Sequence, residues 1–252
     1  MKFLLLGGTA EARALAARLH PGVDVLSSLA GRVPDPALPV GPVRIGGFGG
    51  VEGLRNWLRD NRIDAVIDAT HPYAATITAN AAAACVALGL PHLVLARPAW
   101  DPGGVDLVGS DREAARRVAR DGYSRVFLTT GRSGTAAFVG SDAWFLIRAV
   151  TAPDPAALPA RHELLLSRGP YDYDGEFALL RDHRIDVLVT KNSGGAMTRP
   201  KLDAAAALSV PVVMIDRPAL PAGVEAVATV EEAVAWVAER GVDARRRPKS
   251  VQ

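Results

Sequence analysis

Short runs of hydrophobic residues alternate along this chain with segments in which hydrophobic residues recur at helical spacing. The runs at residues 3–6, 65–67 and 92–95 lack the period-2 alternation of a half-exposed sheet, so they predict strands buried on both faces. Between them, residues 51–61 and 74–88 have the length and pattern of helices. Strands separated by helices indicate βαβ units, right-handed crossovers and a mainly parallel sheet.

The same alternation continues to the end of the chain. Further strands are predicted at residues 23–26, 43–45, 105–108, 125–129, 144–150, 163–167, 186–190, 211–215 and 224–228. Further helices are predicted at residues 9–19, 111–120, 176–182, 201–208 and 231–240.

The second half of the chain repeats the first: RDNRIDAVIDAT at 59–70 is matched by RDHRIDVLVTKN at 181–192, 122 positions later, and the offset drifts little in the other matched pairs. The other matched pairs are 91–98 with 211–218, 105–119 with 224–238 and, more weakly, 2–8 with 125–131. We therefore predict an α/β protein of two Rossmann-like halves with mainly parallel sheets, related by an internal pseudo-repeat and facing one another.

The predicted domain boundaries follow the repeat, because the last matched pair, 105–119 with 224–238, ends its two halves. We predict a first domain at residues 1–122, a second at 123–243 and a disordered basic tail at 244–252. Residues 105–108 and 224–228 should be equivalent edge strands, and because each lies at a domain junction, each could pair with either sheet.

Composition narrows the class of protein. The 252 residues suffice for two modest domains, and 49% hydrophobic with 22% charged residues is ordinary for a globular protein. No apolar run reaches the ~18 residues of a membrane span, and the N-terminal MKFLLLGG resembles a first strand rather than a signal peptide. The single cysteine, Cys85, excludes an intramolecular disulfide and argues against a cysteine-based metal site. We expect a cytoplasmic, monomeric protein without a metal.

The isoelectric point of 8.9 does not indicate a nucleic-acid-binding protein. Four cations, Arg245, Arg246, Arg247 and Lys249, lie in the tail, and without them the formal net charge of +2 becomes about −2. A body that is not basic makes nucleic acid an improbable main partner.

A glycine pair follows the first predicted strand. In Gly7-Gly8-Thr9-Ala10, glycines allow a tight turn and a close approach of backbone N–H groups to a phosphate, and Thr9 can cap the helix and offer its hydroxyl to the same anion. The full Gly-x-Gly-x-x-Gly pattern is absent, so a plain strand–helix turn remains the alternative.

The second strand ends without the acid that holds the ribose of NAD. Ser27, Ser28 and Arg32 stand there instead, and two hydroxyls with a guanidinium suit a 2′-phosphate. This favours NADPH as cofactor, against the alternative of a solvated loop arginine. At the end of the fourth strand, Thr70 and His71 are candidates for a cofactor contact, although Thr70 could instead only cap the next helix.

Cations follow three strands of the second half. Arg132, Arg168 and Lys191 each stand beside glycine or hydroxyl residues, so they would line one edge of the sheet and suit a substrate with several carboxylates or phosphates. Lys201, at a helix start, is a weaker candidate. Exposed charges without a ligand are the alternative. Short-chain dehydrogenase, Walker, zinc-protease and hydrolase motifs are all absent.

Five motifs, taken together and in order, resemble the precorrin-6A reductase family of cobalamin biosynthesis. They are GGTAEAR at 7–13, SLAGR at 28–32, DATHPYA at 68–74, TGR at 130–132, and TKNSGG at 190–195 followed by Lys201-Leu202. The resemblance extends from residue 1 to about residue 240. It implies NADPH-dependent reduction of one double bond of a polycarboxylate tetrapyrrole, precorrin-6A, to give precorrin-6B.

Within these motifs, or directly after them in the case of Ser133, we expect further substrate contacts from Arg13, Tyr73, Ser133, Asn192 and Ser193. No residue is identified as a catalytic acid, since the nitrogens of the macrocycle or water could take the proton. Two other functions remain open: an NADP-linked reductase of a small carbonyl compound, and a non-enzymatic NADP sensor.

Overall fold

The structure is a computed structural model that describes the backbone at residues 1–31 and 36–246 and side chains as far as residue 241. The chain divides into two compact units. The first comprises Met1–Arg97 and the segment from Ala219 onward, and the second comprises Pro98–Pro218. Each unit contains one six-stranded sheet in which all pairs are parallel.

The first unit has the strand order β12-β5-β4-β1-β2-β3. Its strands are β1 (Lys2–Leu6), β2 (Asp24–Leu29), β3 (Val43–Ile45), β4 (Ala65–Asp68), β5 (His92–Leu95) and β12 (Glu225–Val227). Its helices are α1 (Ala10–Leu19), α2 (Gly50–Asp60), α3 (Ala75–Leu88) and α7 (Val230–Arg246). This is the Rossmann order 3-2-1-4-5-6, with β12 in the sixth place.

The second unit has the corresponding order β6-β11-β10-β7-β8-β9. Its strands are β6 (Asp106–Val108), β7 (Arg125–Leu128), β8 (Trp144–Ala149), β9 (His162–Leu166), β10 (Val187–Lys191) and β11 (Val212–Ile215). Its helices are α4 (Asp111–Arg120), α5 (Tyr173–Asp182) and α6 (Pro200–Ala207), with short 3-10 helices at Thr135–Phe138 and Pro155–Ala157. The predicted fold class, two Rossmann-like halves with parallel sheets, is confirmed.

The two halves of the sequence exchange their last strand and helix. β6 follows the first half in the chain but pairs with β11, and β12 follows the second half but pairs with β5. The two strands are equivalent edge strands, as predicted, and each belongs to the sheet of the other half.

Hydrophobic packing fixes this exchange in the first unit. Ala233, Trp236 and Val237 of α7 are buried in the same core as Phe3 of β1. The rings of Phe3 and Trp236 meet edge to face, with centroids 6.3 Å apart. The boundary predicted near Gly122 is therefore corrected: the chain crosses between units after Arg97 and after Pro218.

The predicted disordered tail also begins too early. Helix α7 continues to Arg246, because arginine and alanine are good helix formers and nothing in the sequence stops the helix at 244. Residues 247–252 of the predicted tail lie outside the described residues. Within the part of the chain that the structure describes, no helix has the length and apolar character to traverse a lipid bilayer.

The exchange predicts which piece of the chain folds alone. A fragment of residues 98–218 contains all six strands of the second sheet, whereas the equally long fragment 123–243 lacks β6 and carries β12 without its partner β5. We expect the first fragment to unfold cooperatively and to give a dispersed NMR spectrum, and the second to do neither. Native-like spectra from 123–243 would contradict the exchange.

Candidate functional site

The carboxyl ends of parallel strands meet at one edge of a sheet, where Rossmann-like folds bind ligands. In the first unit, the turn from β1 to α1 lies at this edge. A Cβ atom at Gly7 would meet Ala12 Cβ at 3.3 Å and Leu29 Cδ2 at 3.5 Å, so the absent side chain lets helix and sheet pack closely. Gly8 has φ +116° and open space on its Cβ side. Gly8 therefore presents backbone to an approaching ligand.

Thr9 caps helix α1 as predicted. Its Oγ1 accepts a hydrogen bond from Ala12 N–H at 3.1 Å and donates its proton to Ala69 O at 2.7 Å. Because that donation uses the only hydroxyl proton, Thr9 is not the phosphate donor that we expected. It ties the turn to the end of β4 and leaves the first N–H groups of the helix, at Ala10 and Glu11, facing outward without intrahelical partners.

An ion pair stands beside this turn. Arg97 Nη1, just after β5, donates to Glu11 Oε2 at 2.8 Å, and the two side chains are 17% and 26% exposed. A carboxylate at a helix start would repel a phosphate, and the guanidinium offsets that charge. Sequence reasoning missed Arg97.

The end of β2 has the polar character that we predicted. Ser27 and Ser28 are buried, and the hydroxyl of Ser27 has no hydrogen-bond partner among the described residues. Arg32, the expected 2′-phosphate ligand, lies outside the described residues. The structure instead brings a second arginine, Arg44 of β3, to this place.

Arg44 joins β2 to the loop after β3. Its guanidinium donates to Ser28 Oγ at 2.8 Å, to Gly46 O at 2.9 Å and to Gly47 O at 3.1 Å, and it lies 4.0 Å from the centre of the Phe48 ring. Burial lowers the pKa of Arg44 from its ordinary value. The glycine-rich GGFGG segment that follows Arg44 was the signal in the sequence that could have identified it.

These residues fit a dinucleotide. The turn offers outward N–H groups and an open glycine for a pyrophosphate, and the β2 edge offers Ser27 Oγ, Ser28 Oγ and the Arg44 guanidinium for the ribose end. The fit rests on an open backbone at Gly8 and on the buried hydroxyl of Ser27, which no other described residue engages in a hydrogen bond.

The polar group after β4 is a preorganised turn. Asp68 is buried, and its Oδ1 accepts from Thr70 N–H at 2.9 Å and from Thr70 Oγ1 at 2.6 Å. Thr70 does not cap α3, whose N-cap is Ala74. His71 is exposed, its Nδ1 accepts from Tyr73 N–H at 3.3 Å, and the His71 and Tyr73 rings lie 5.7 Å apart. Tyr73 and Arg13 are both half-buried.

In the second unit, three predicted residues reach solvent at the carboxyl edge of the sheet. Arg132 and Ser133 follow β7, and Arg168 follows β9. All three are exposed, so they are accessible to a ligand. Ser193, two residues after β10, is half-buried.

Unlike Arg132 and Arg168, which are exposed, Lys191 is largely buried and has defined polar contacts. Its side chain is 12% exposed, its Nζ donates to Thr130 O at 2.9 Å, and Asp111 Oδ2 lies 3.9 Å from it. Burial lowers the pKa of Lys191, and the Asp111 carboxylate partly offsets that effect.

Two predicted substrate residues are engaged inside the unit. Asn192 is 3% exposed; its Oδ1 accepts from Trp100 N–H at 2.8 Å and its Nδ2 donates to Trp100 O at 3.1 Å. The Asn192 amide thus forms with the Trp100 backbone the pair of hydrogen bonds that a neighbouring strand would form. Its polar atoms are therefore directed into the unit and not toward a ligand. The second such residue is Lys201.

Lys201 is 4% exposed and belongs to a buried charged cluster. Its Nζ donates to Thr198 O at 3.0 Å and lies 4.9 Å from the centre of the Trp100 ring. Burial, and secondarily the charge of Arg148, lower the pKa of Lys201 to about 7, against the opposing effect of Glu176. Arg148 and Glu176 form a buried bidentate ion pair.

No group of three or more histidine, cysteine, aspartate or glutamate side chains in the described segments could hold a metal ion. The first unit thus has an edge that is compatible with a dinucleotide. The second unit has a cationic edge, formed by Arg132, Arg168 and Lys191 at the carboxyl ends of its own strands.

The chain is similar to known proteins over nearly its whole length. The sequence profile of the family described as "Precorrin-6x reductase CbiJ/CobK" matches residues 2–238. A precorrin-6A reductase of Mycobacterium tuberculosis is 73% identical over 237 residues, which cover 94% of this chain and 97% of that protein. A precorrin-6A reductase of Rhodococcus erythropolis is 54% identical over 246 residues, with the same coverage of 94% and 97%.

A solved structure of CobK precorrin-6A reductase matches with a TM-score of 0.86 at 38% identity, covering 100% of both chains. Sequence profile, relatives and structure agree over nearly the whole length. The chain belongs to the precorrin-6x reductase CbiJ/CobK family.

Proposed function

We propose that this protein uses NADPH to reduce one double bond of the precorrin-6A macrocycle, giving precorrin-6B in cobalamin biosynthesis. Family membership supports the reaction and the substrate. The observation that carries the proposal is the Gly7-Gly8 turn, open at Gly8, at the carboxyl edge of one sheet, in a chain whose other unit presents cations at the carboxyl edge of its own sheet.

The residues of the first unit would hold the cofactor. N–H groups of Gly8, Ala10 and the first turn of α1 would bind the pyrophosphate, since a helix N-terminus favours an anion. Ser27, Ser28, Arg32 and Arg44 would bind the 2′-phosphate, with Thr70 and His71 near the end of β4 as further contacts. Bound there, NADPH would supply the hydride, and the chain supplies binding and orientation.

The residues of the second unit would bind the macrocycle. Its many carboxylates call for cations that are accessible yet fixed, and Arg132, Arg168 and Lys191 meet this requirement to different degrees. Arginine binds a carboxylate bidentately and lysine binds it as a point charge. Arg13, Tyr73, Ser133 and Ser193 are accessible or half-buried and would add polar contacts. Asn192 and Lys201 are left out, because their polar groups are engaged in the interior.

Turnover is the direct test of the function. The purified protein incubated with NADPH and precorrin-6A should consume both, with loss of the nicotinamide absorbance and formation of a product two hydrogens heavier by mass spectrometry. Tight NADPH binding without turnover would contradict the proposal and favour a sensor of NADP.

Nucleotide preference tests the 2′-phosphate site. We expect NADPH to bind more tightly than NADH, and Arg32→Asp or Arg44→Ala to weaken NADPH binding by about 1.5–3 kcal/mol, the contribution of one charged hydrogen bond. NADH affinity should change little, because the lost contact is to the 2′-phosphate. Nicotinamide fluorescence titration measures both.

Arg18→Ala is the matched control for that titration. Arg18 lies in the last turn of the same unit's α1, is exposed and makes only a surface ion pair with Glu231. Equal affinities of the unchanged protein for NADPH and NADH would contradict the 2′-phosphate site.

Substitutions at the cationic edge of the second unit should weaken the binding of the substrate and not that of the cofactor. Arg132→Ala and Arg168→Ala should each raise the KM for precorrin-6A several-fold and leave the NADPH dissociation constant nearly unchanged. Arg161→Ala is the control, since Arg161 is equally exposed but precedes β9, whereas Arg168 follows it. A charge that is only solvated contributes under about 0.5 kcal/mol. Saturation curves of both variants that match the Arg161→Ala curve would remove this edge from the substrate site.

A further inference from the structure

Asp111 is placed in the second unit by the exchanged segment. It is the first residue of α4, next to the N-cap Ser110, whose Oγ accepts from Glu113 N–H at 3.2 Å. Neither the repeat nor the family motifs of the sequence single it out. The helix that carries it packs beside the 3-10 helix Thr135–Phe138 and strand β11. Asp111 therefore reaches the carboxyl edge of a sheet formed mainly by the other half of the sequence.

Asp111 lies in a tight polar cluster with Thr130 and Gly134. A Cβ atom at Gly134 would lie 2.3 Å from Thr130 Oγ1 and 2.4 Å from Asp111 Oδ1, so only glycine permits this packing. Both oxygens are buried and have no hydrogen-bond partner among the described residues. A buried polar atom without a partner costs about 1–3 kcal/mol, so the placement of Asp111 Oδ1 does not itself stabilise the fold.

The other oxygen of the carboxylate faces a cation. Asp111 Oδ2 lies 3.9 Å from Lys191 Nζ, which also donates to the backbone oxygen of Thr130 at 2.9 Å. The Lys191 side chain is 12% exposed and that of Asp111 is 31% exposed, so the pair is only partly screened by solvent. Lys191 ends the central strand β10 and is thereby directed at the edge where ligands bind.

The charge of Asp111 affects the pKa of Lys191. Burial lowers the pKa of Lys191, and the Asp111 carboxylate raises it. Of the charged groups on the neighbouring elements, Glu113 on α4 accepts from Gly109 N–H, Arg217 after β11 donates to backbone oxygens, and Arg132 after β7 is exposed. Asp111 lies within salt-bridge distance of Lys191, and its charge raises the pKa of that lysine.

We propose that Asp111 is a positioning residue for Lys191, holding its ammonium group at the carboxyl edge of the sheet, where it binds a carboxylate of the substrate. The inference rests on the proposed function, because it gives Lys191 a carboxylate ligand. Asp111 does not touch the substrate in this account; it acts through Lys191. The exchange of segments between the halves thereby supplies a residue that supports the proposed substrate site of the second unit.

The test compares Asp111→Asn with Glu113→Gln over a range of pH. Both variants remove one carboxylate from the first turn of α4 and so weaken its interaction with the helix dipole, but of the two carboxylates it is that of Asp111 that lies beside Lys191. In the unchanged protein, kcat/KM for precorrin-6A should fall at alkaline pH as Lys191 loses its proton. In Asp111→Asn that fall should move to lower pH by about one unit or more, since an opposite charge at this distance shifts a pKa by that amount. NADPH affinity should not change.

Two further variants make the assignment specific. Asp111→Glu retains the charge and should restore the original alkaline limb, and Lys191→Met should remove that limb in both backgrounds. An Asp111→Asn profile that coincides with the Glu113→Gln profile would overturn the proposal.

A measurement without substrate separates this proposal from the proposed function. The pKa of Lys191, read from the NMR titration of its ε-methylene and assigned with Lys191→Arg, should fall in Asp111→Asn and stay in Glu113→Gln. An unshifted pKa would overturn the role of Asp111 whether or not the protein turns over precorrin-6A. Absence of turnover with a shifted pKa would instead contradict only the proposed function.

Discussion

Each sheet in this protein is completed at one edge by a strand that the other half of the sequence supplies. Parallel pairing of β12 with β5 and of β6 with β11 places the following helices on the opposite units. The consequence for stability is visible at Trp236, which is buried with Phe3 in the first core although it comes from the end of the chain. The consequence for function is visible at Asp111, which reaches Lys191 only because α4 stays with β6.

The two copies of the repeat have diverged at the first strand–helix turn. The matched segments place Thr130 opposite Gly7, so the second unit has a side chain where the absence of one lets helix and sheet pack closely in the first. The ten-residue helix α1 has only the four-residue 3-10 helix Thr135–Phe138 as its counterpart. One oxygen of the Asp111 carboxylate is also buried beside this turn. Each of these differences disfavours a phosphate in the second unit and favours one in the first.

Much of the fold could be predicted because its signals are local. Apolar runs without alternation and the 122-residue offset identify the strands and the repeat. The exchange could not be predicted, because a three-residue edge strand such as β12 matches either sheet equally well and only long-range packing of α7 decides between them. The domain boundary was therefore placed at the end of the repeat rather than at Arg97.

The sequence predicts where the candidate site lies, but it predicts only part of what each residue does there. Position in the sequence locates a side chain at a strand end and does not say which partner takes its polar atoms. Thr9 and Asn192 are at the predicted edge, yet their polar groups are bonded to Ala69 O and to the Trp100 backbone. Arg44 was missed because it lies in the middle of a short strand, where an arginine suggests only a solvated face.

We propose that one unit has kept the nucleotide site and that the other has become the site for an acidic substrate. Titration calorimetry of the whole protein with NADP⁺ tests this most directly. The repeat contains two equivalent strand–helix turns, at Gly8 and at Gly131, and we assign the nucleotide to the first. We predict a single saturable site per chain, lost when Gly8 is replaced by valine and retained when Gly131 is. Two nucleotides per chain, or binding that survives Gly8→Val and is lost with Gly131→Val, would contradict the account.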